Sequence, residues 1–206
     1  MEQPIVSEHD SAAEPLRKTR PGGRTAATLA RIYDSTLAIL RDQGLGAVTF
    51  NDVAKASDVN RSTLYRRWPD RNELVLDAIM ASVTELIVPA EGDSLAAELT
   101  DVLNQIGAYL NTPVGRAVLA AGLELSTTHS STGQRQIGLW RERLRAFEPM
   151  FKRAQARGEL DPAFDWESAF AMAAGAIYYR IMIHNEPIDE AWIGRILGHW
   201  KVLTQG

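Results

Sequence analysis

The run Asn60-Arg61-Ser62-Thr63-Leu64-Tyr65-Arg66-Arg67 gathers guanidinium, hydroxyl and phenol side chains and carries no carboxylate before Asp70. On a helix, such a set suits the edges of base pairs. Arginine binds guanine bidentately, small hydroxyl residues let a backbone approach the duplex, and tyrosine reaches a phosphate or stacks on a thymine methyl. Catalytic chemistry has far less to work with. The chain contains no cysteine, and its histidines, His9, His129, His184 and His199, include no i, i+4 pair, so neither a thiol nucleophile nor a metal site is expected. There is no Gly-x-Ser-x-Gly elbow, no phosphate-binding glycine loop with its lysine and no His-Glu-x-x-His. Acid pairs such as Glu159/Asp161 and Asp189/Glu190 read as turn and capping residues. We expect a non-enzymatic protein with no cofactor and no metal.

Those side chains need a scaffold, and the hydrophobic pattern supplies a helical one throughout, with apolar residues recurring three or four apart. From Arg24 to Gln43 the positions Leu29, Ile32, Tyr33, Leu37 and Leu40 form one stripe, stopped by Gly44 and Gly46. Thr49 can cap a short helix through 51–56, Asn60 another over 61–68, and Asp70 a third. Two short helices joined by a turn of three or four residues are the helix-turn-helix layout, whose second helix enters the major groove. Phe50, Val53, Ala54, Val59, Leu64 and Trp68 can then face inward. Further helices are expected at about 71–88 and 94–111, from Pro113, at about 133–157 with a kink or division at Pro149, and at about 165–185 and 189–204. The predicted class is all-α: a tail over 1–23, a three-helix domain over 24–72 and a larger helical bundle over 73–206, about nine helices altogether.

The 206 residues allow one or two domains with a sizeable core. Charge divides them unevenly. Residues 15–72 hold eleven Lys/Arg against five Asp/Glu, between a stretch of net -4 over 1–14 and a body of net -6 over 73–206; a basic head on an acidic body suits a polyanionic partner. Upstream, Arg17-Lys18-Thr19-Arg20-Pro21-Gly22-Gly23-Arg24 reads as too glycine-rich to pack. It is either an arm lying along phosphates or in a minor groove, or a solvated linker. No apolar run approaches the roughly 20 residues of a membrane span, and the first residues lack a signal-type apolar region. A cytoplasmic protein is expected.

The stretch from Ile32 to Leu76 resembles the TetR-type family of transcriptional regulators. The resemblance rests on Gly44-Leu45-Gly46, Val48-Thr49-Phe50, Val53-Ala54, Val59, and above all the run from Ser62 through Trp68-Pro69-Asp70-Arg71-Asn72-Glu73 to Leu74. Pro113-Val114-Gly115-Arg116, the run from Ala156 to Leu160 and Gly175 to Arg180 agree more loosely with a C-terminal subtype. The resemblance implies a homodimer gripping a palindromic operator on double-stranded DNA, with a larger domain that binds a small-molecule effector. It also implies that Arg61, Ser62, Thr63, Tyr65 and Arg66 face DNA and that Thr49 and Arg71 sit at helix N-termini beside phosphates; Arg24, in the basic arm, is added as a candidate contact. Histidine or arginine is common at position 66 in that family, and phenylalanine is commoner than tryptophan at 68.

In the larger domain, Ala173, Ile177 and Ile181, with Trp192, Ile196 and Trp200, lie on two helices and can build a two-fold four-helix interface. The alternative is that this stripe is core within one chain. The family likeness places an effector cavity between about 74 and 180, for which Met80, Ile106, Leu123, Trp140, Phe147, Phe151 and Tyr178 are candidate lining residues, although pockets and cores share this composition. Gln105, Glu124 and Arg141 are either polar anchors or solvated. An apolar or aromatic effector acting through the 71–88 helix to weaken operator binding, and hence repression rather than activation, is what the resemblance implies.

Overall fold

The computed structural model describes residues 22–127 and 131–204, and among these every regular element is helical. The N-terminal helices are α1 Gly22–Gln43, α2 Phe50–Ser57, α3 Arg61–Arg67 and α4 Arg71–Leu86. Gly44, at φ 79°, stops α1, and a 3-10 turn, Leu45–Ala47, leads into α2. Asp58 holds the turn between α2 and α3 in the left-handed region at φ 52°, which a short polar side chain tolerates better than most. α1 begins two residues before the expected Arg24. Gly22 and Gly23, assigned to an unpacked tail, form its first turn. Glycine costs roughly 1 kcal/mol in a helix, little against the docking of α1 along α2, α4 and a later helix. The proposed arm residues Arg17, Lys18 and Arg20 lie outside the described residues.

The body comprises α5 Leu95–Asn111, α6 Pro113–Ser126, α7 Ser131–Arg145, α8 Glu148–Ala156, α9 Trp166–Tyr179 and α10 Glu190–Thr204. The helix expected over 133–157 is divided, with Pro149 in the first turn of α8, where its missing N–H has no intrahelical bond to lose. α9 widens into a π-type turn, Arg180–His184, closed by Asn185 at φ 53°. One buried cluster runs from Ile32 through Leu64, Leu74 and Leu103 to Trp200. α1 touches both α4 and α6, so the small N-terminal unit shares this core with the body.

The α9/α10 stripe is chiefly intramolecular. Ala173, Ile177, Ile181 and Trp200 are buried within the single chain, and Trp192 and Ile196 are half-buried. α9 packs on α10 and both pack on α5, and the Trp200 indole N–H donates to the Ala169 carbonyl at 2.7 Å. The large apolar side chains left outward on α9 and its terminal turn are Met172, Tyr179, Met182 and Ile183.

Candidate nucleic-acid interface and ligand cavity

Capping side chains set the angle of the two short helices. Thr49 Oγ1 accepts the Asp52 N–H at 3.2 Å and donates to the Asp52 carboxylate at 2.5 Å. Asn60 Oδ1 accepts both the N–H and the hydroxyl of Ser62, at 2.9 and 2.8 Å. Such caps are each worth about 1 kcal/mol. Leu64, fully buried, pins the inner face of α3, and Trp68, 2% exposed, closes its end. Arg61, Ser62, Tyr65, Arg66 and Arg67 are left exposed, with Thr63 half-buried at the edge. The Tyr65 ring is held edge-on to Phe50 at 4.7 Å while its hydroxyl accepts from Arg61 at 2.5 Å, so it is propped outward with half its surface in solvent.

Two of the expected phosphate contacts have other work. The Arg71 Nη1 donates to the carbonyls of Leu45, Gly46 and Val48 at 3.0–3.2 Å. It thereby ties the start of α4 to the turn before α2, and it is only half-exposed. Thr49 is exposed but caps α2. Arg24 lies in the first turns of α1.

The end of α3 is wired to the body. The Trp68 indole N–H donates to Asp77 on α4 at 2.9 Å, and the other oxygen of Asp77 accepts from Arg135 of α7 at 2.7 Å. Arg135 also donates to Glu73, which accepts from the Thr132 hydroxyl at 3.0 Å. α7 therefore touches, through α4, the helix that presents the basic face.

The same α7 forms one wall of a cavity of about 570 Å³, within the ordinary range for a small-molecule site of roughly 300–1,000 Å³. Val83 and Ile87 of α4 line it, with residues of α5, α6, α7 and α9. Of the candidate lining residues, Ile106, Leu123, Trp140, Phe147 and Tyr178 are on its wall. Met80 and Phe151 are not. Phe151 is fully buried and stacked on Trp166 at 5.1 Å, and Met80 is half-buried away from the cavity. Glu124 and Arg141 are exposed, whereas Gln105 clamps the Val88 backbone, accepting its N–H at 2.7 Å and donating to its carbonyl at 3.0 Å.

Among the polar residues that line the cavity are Gln136 and Arg143, 3% and 8% exposed. Gln136 Nε2 donates to the Gly122 carbonyl at 2.7 Å. Arg143 Nη2 donates to the Ile87 carbonyl, at the end of α4, and the guanidinium lies 4.9 Å from the Phe147 ring centroid. Burial lowers the Arg143 pKa against the charged form and pushes the neighbouring Tyr178 phenol up. The sequence carried a usable signal for both polar residues, since Gln136, Trp140, Arg143, Leu144 and Phe147 share one helical face.

Two family models match the chain: the tetR family of bacterial regulatory proteins over residues 32–78, and the tetracyclin repressor-like C-terminal domain over residues 88–199. The chain is 28% identical over 156 residues to the HTH-type transcriptional regulator AqdR of Rhodococcus erythropolis, covering 75% of this chain and 74% of that one. It is 25% identical over 185 residues to the HTH-type regulator YdeS of Bacillus subtilis, covering 85% and 87%. Its fold is similar to that of the TetR family transcription regulator SCO0332, with a TM-score of 0.68 at 24% identity over 82% of this chain and 94% of that one. It is also similar to FadR from Bacillus subtilis, solved in complex with stearoyl-CoA, at a TM-score of 0.66 and 16% identity over 83% and 96%.

Proposed function

The chain belongs to the tetR family of bacterial regulatory proteins, and from that premise we propose that this transcriptional regulator is a cytoplasmic repressor that grips a palindromic operator as a homodimer and is released by a small ligand. The observation that carries the DNA half is the outward face of α3. Arg61, Ser62, Tyr65 and Arg66 are exposed together while Leu64 and Trp68 bury the opposite face, and no carboxylate interrupts that face. Arg61 and Arg66 take guanine edges or phosphates, Ser62 and Thr63 permit close approach, and Tyr65 reaches the backbone. Residues 24–72 are the DNA-binding part in this reading, Arg71 positions it, Arg24 with the preceding arm adds phosphate contacts, and 73–206 bind ligand and dimerise.

The homodimer is supported by the outward apolar positions Met172, Tyr179 and Ile183 on α9 and its terminal turn, which share one helical face. Gly194 and Gly198 of α10 have open space where a side chain would stand, room for the close approach of a second copy. Among the described residues no helix is long and apolar enough to cross a membrane.

The cavity is the effector site in this reading. It borders the end of α4, whose start carries the α3 wiring, so a ligand that prefers a displaced α4 lowers DNA affinity, and DNA lowers ligand affinity by the same factor. The test is fluorescence anisotropy of the full chain on a duplex from the region upstream of its own gene, across a salt series. Affinity that falls steeply with salt, and Tyr65→Ala that loses sequence preference while remaining a folded dimer, support the assignment. Salt-independent binding, or a Tyr65→Ala protein that binds as well as the parent, refutes it.

A further inference from the structure

Arg143 is a buried cation with an incomplete set of partners. Its side chain sits in the cavity wall, its Nε is buried with no hydrogen-bond partner among the described residues, and no carboxylate among them pairs with it. The Ile87 carbonyl and the Phe147 ring face are what it touches. Elsewhere the chain treats buried charge differently: Glu98, with no side-chain exposure, is met by both Arg153 and Arg157. An ionised group taken out of water costs several kcal/mol unless a counter-charge is supplied, and the wall around Arg143 is mostly apolar, its polar side chains being Gln136, the Tyr178 and Tyr109 phenols, the Trp140 indole and Ser126, none of them a carboxylate. The Tyr109 hydroxyl is already engaged with Ser82 at 3.1 Å. Tyr178, a neutral phenol whose ionisation burial opposes, lies close enough to Arg143 for the guanidinium to act on its ionised form.

We propose that the cavity binds an amphipathic acid, whose carboxylate pairs with the Arg143 guanidinium and takes the Tyr178 hydroxyl as a donor, and whose apolar body lies among Ile106, Leu144, Phe147 and Phe170. This deepens, and rests on, the reading of the cavity as the effector site. The carboxylate supplies the counter-charge that the described residues omit, and a charge-assisted bond of this kind is about twice as strong as a neutral one. It also acts where regulation needs it. Arg143 is the residue that holds the terminal carbonyl of α4, so an anion that draws the guanidinium toward itself loosens the end of the helix whose beginning carries Asp77 and the α3 contact. At the other polar point, about 10 Å along α7 at 1.5 Å per residue, Gln136 stands in the wall with its Oε1 buried and without a hydrogen-bond partner among the described residues.

The experiment is calorimetric titration of the full chain with three acids of different shape, octanoate, dodecanoate and 1-naphthoate, each beside its uncharged alcohol. At least one acid is expected to bind tenfold or more tightly than its alcohol. Arg143→Met removes that preference, the acid weakening more than its alcohol, and it folds, because replacing a buried charge that no carboxylate among the described residues meets by an apolar side chain of similar length is neutral or stabilising. Failure of all three acids to bind, alcohols binding as tightly as acids, or an unchanged acid preference in Arg143→Met overturns the proposal. The same titrations are read against operator affinity. Arg143-dependent acid binding without any loss of DNA affinity leaves this inference standing and removes ligand release; release by the alcohols and not by the acids removes this inference and leaves ligand release in place.

Discussion

Asp77→Leu tests whether the joint between α3 and the body is energetic or incidental. Asp77 accepts from the Trp68 indole at 2.9 Å and from Arg135 at 2.7 Å. Trp68 is 2% exposed, so its N–H has no water to turn to, and orphaning a buried donor costs about 1–3 kcal/mol. Arg135 is another matter. With 42% of its side chain in solvent and Glu73 still beside it, its loss is screened to under about 1 kcal/mol. The expected total is about 2–3 kcal/mol, which lowers the melting temperature by roughly 4–12 °C in a chain of this size without unfolding a protein of ordinary stability. Asp77→Asn, which keeps an acceptor, retains most of this. Trp68→Phe removes the donor, so the double variant Trp68→Phe/Asp77→Leu is expected to be less destabilised than the sum of the singles by about 1–2 kcal/mol. Urea unfolding of the four proteins measures that coupling, and anisotropy on the operator duplex measures whether affinity falls with it. Additivity within about 0.3 kcal/mol, or a single variant indistinguishable from the parent, refutes the role given to the joint.

Gly115→Ala should prevent stable folding or cost more than about 3 kcal/mol, because a Cβ there would stand 2.1 Å from the Tyr109 carbonyl oxygen, a backbone atom that cannot swing aside; a soluble variant with an unchanged melting temperature contradicts this. Around buried Glu98 the two halves of the ion cluster differ. Arg153→Ala/Arg157→Ala strands a carboxylate with no side-chain exposure and should cost about 3–5 kcal/mol, whereas Glu98→Met leaves arginines that can reach water and should cost about 1 kcal/mol or less in chemical denaturation. Burial raises the phenols of Tyr33, Tyr109 and Tyr178 above the ordinary value of 10.0. Their folded pKa exceeds the unfolded one, so this stability is fully present below pH 10 and drains away as pH rises through the folded values. Absorbance titration should show three late-ionising tyrosines that become ordinary in urea. Burial works to raise the Glu159 carboxyl, but the Leu95 N–H and the Arg157 guanidinium outweigh it and hold it below its usual range. That contribution is present above pH 4.5 and lost as pH falls through the depressed value, so Glu159→Gln should flatten the acid limb of a melting-temperature profile.

Much of this molecule could be read in one dimension because the signals are local. Thr49, Asn60 and Asp70 each cap the helix that follows them, the apolar spacing around Leu64 and Trp68 leaves Arg61, Ser62, Tyr65 and Arg66 on the opposite side, and Pro149 divides a helix where its ring forbids continuation. What the sequence determined, then, was the helical class, the helix-turn-helix and its exposed face, all set by interactions within four residues or so. The tertiary structure alone decided which apolar stripe meets which. Ala173, Ile177, Ile181 and Trp200 look the same in sequence whether they face a partner or α5 of their own chain, and Phe151 looks the same in a core as in a cavity. It also decided what each polar side chain finds. Arg71 became a tie to three carbonyls 23 to 26 residues away, and Arg143 became a buried cation that no carboxylate among the described residues meets, because hydrogen-bond satisfaction depends on groups brought close only when distant helices pack.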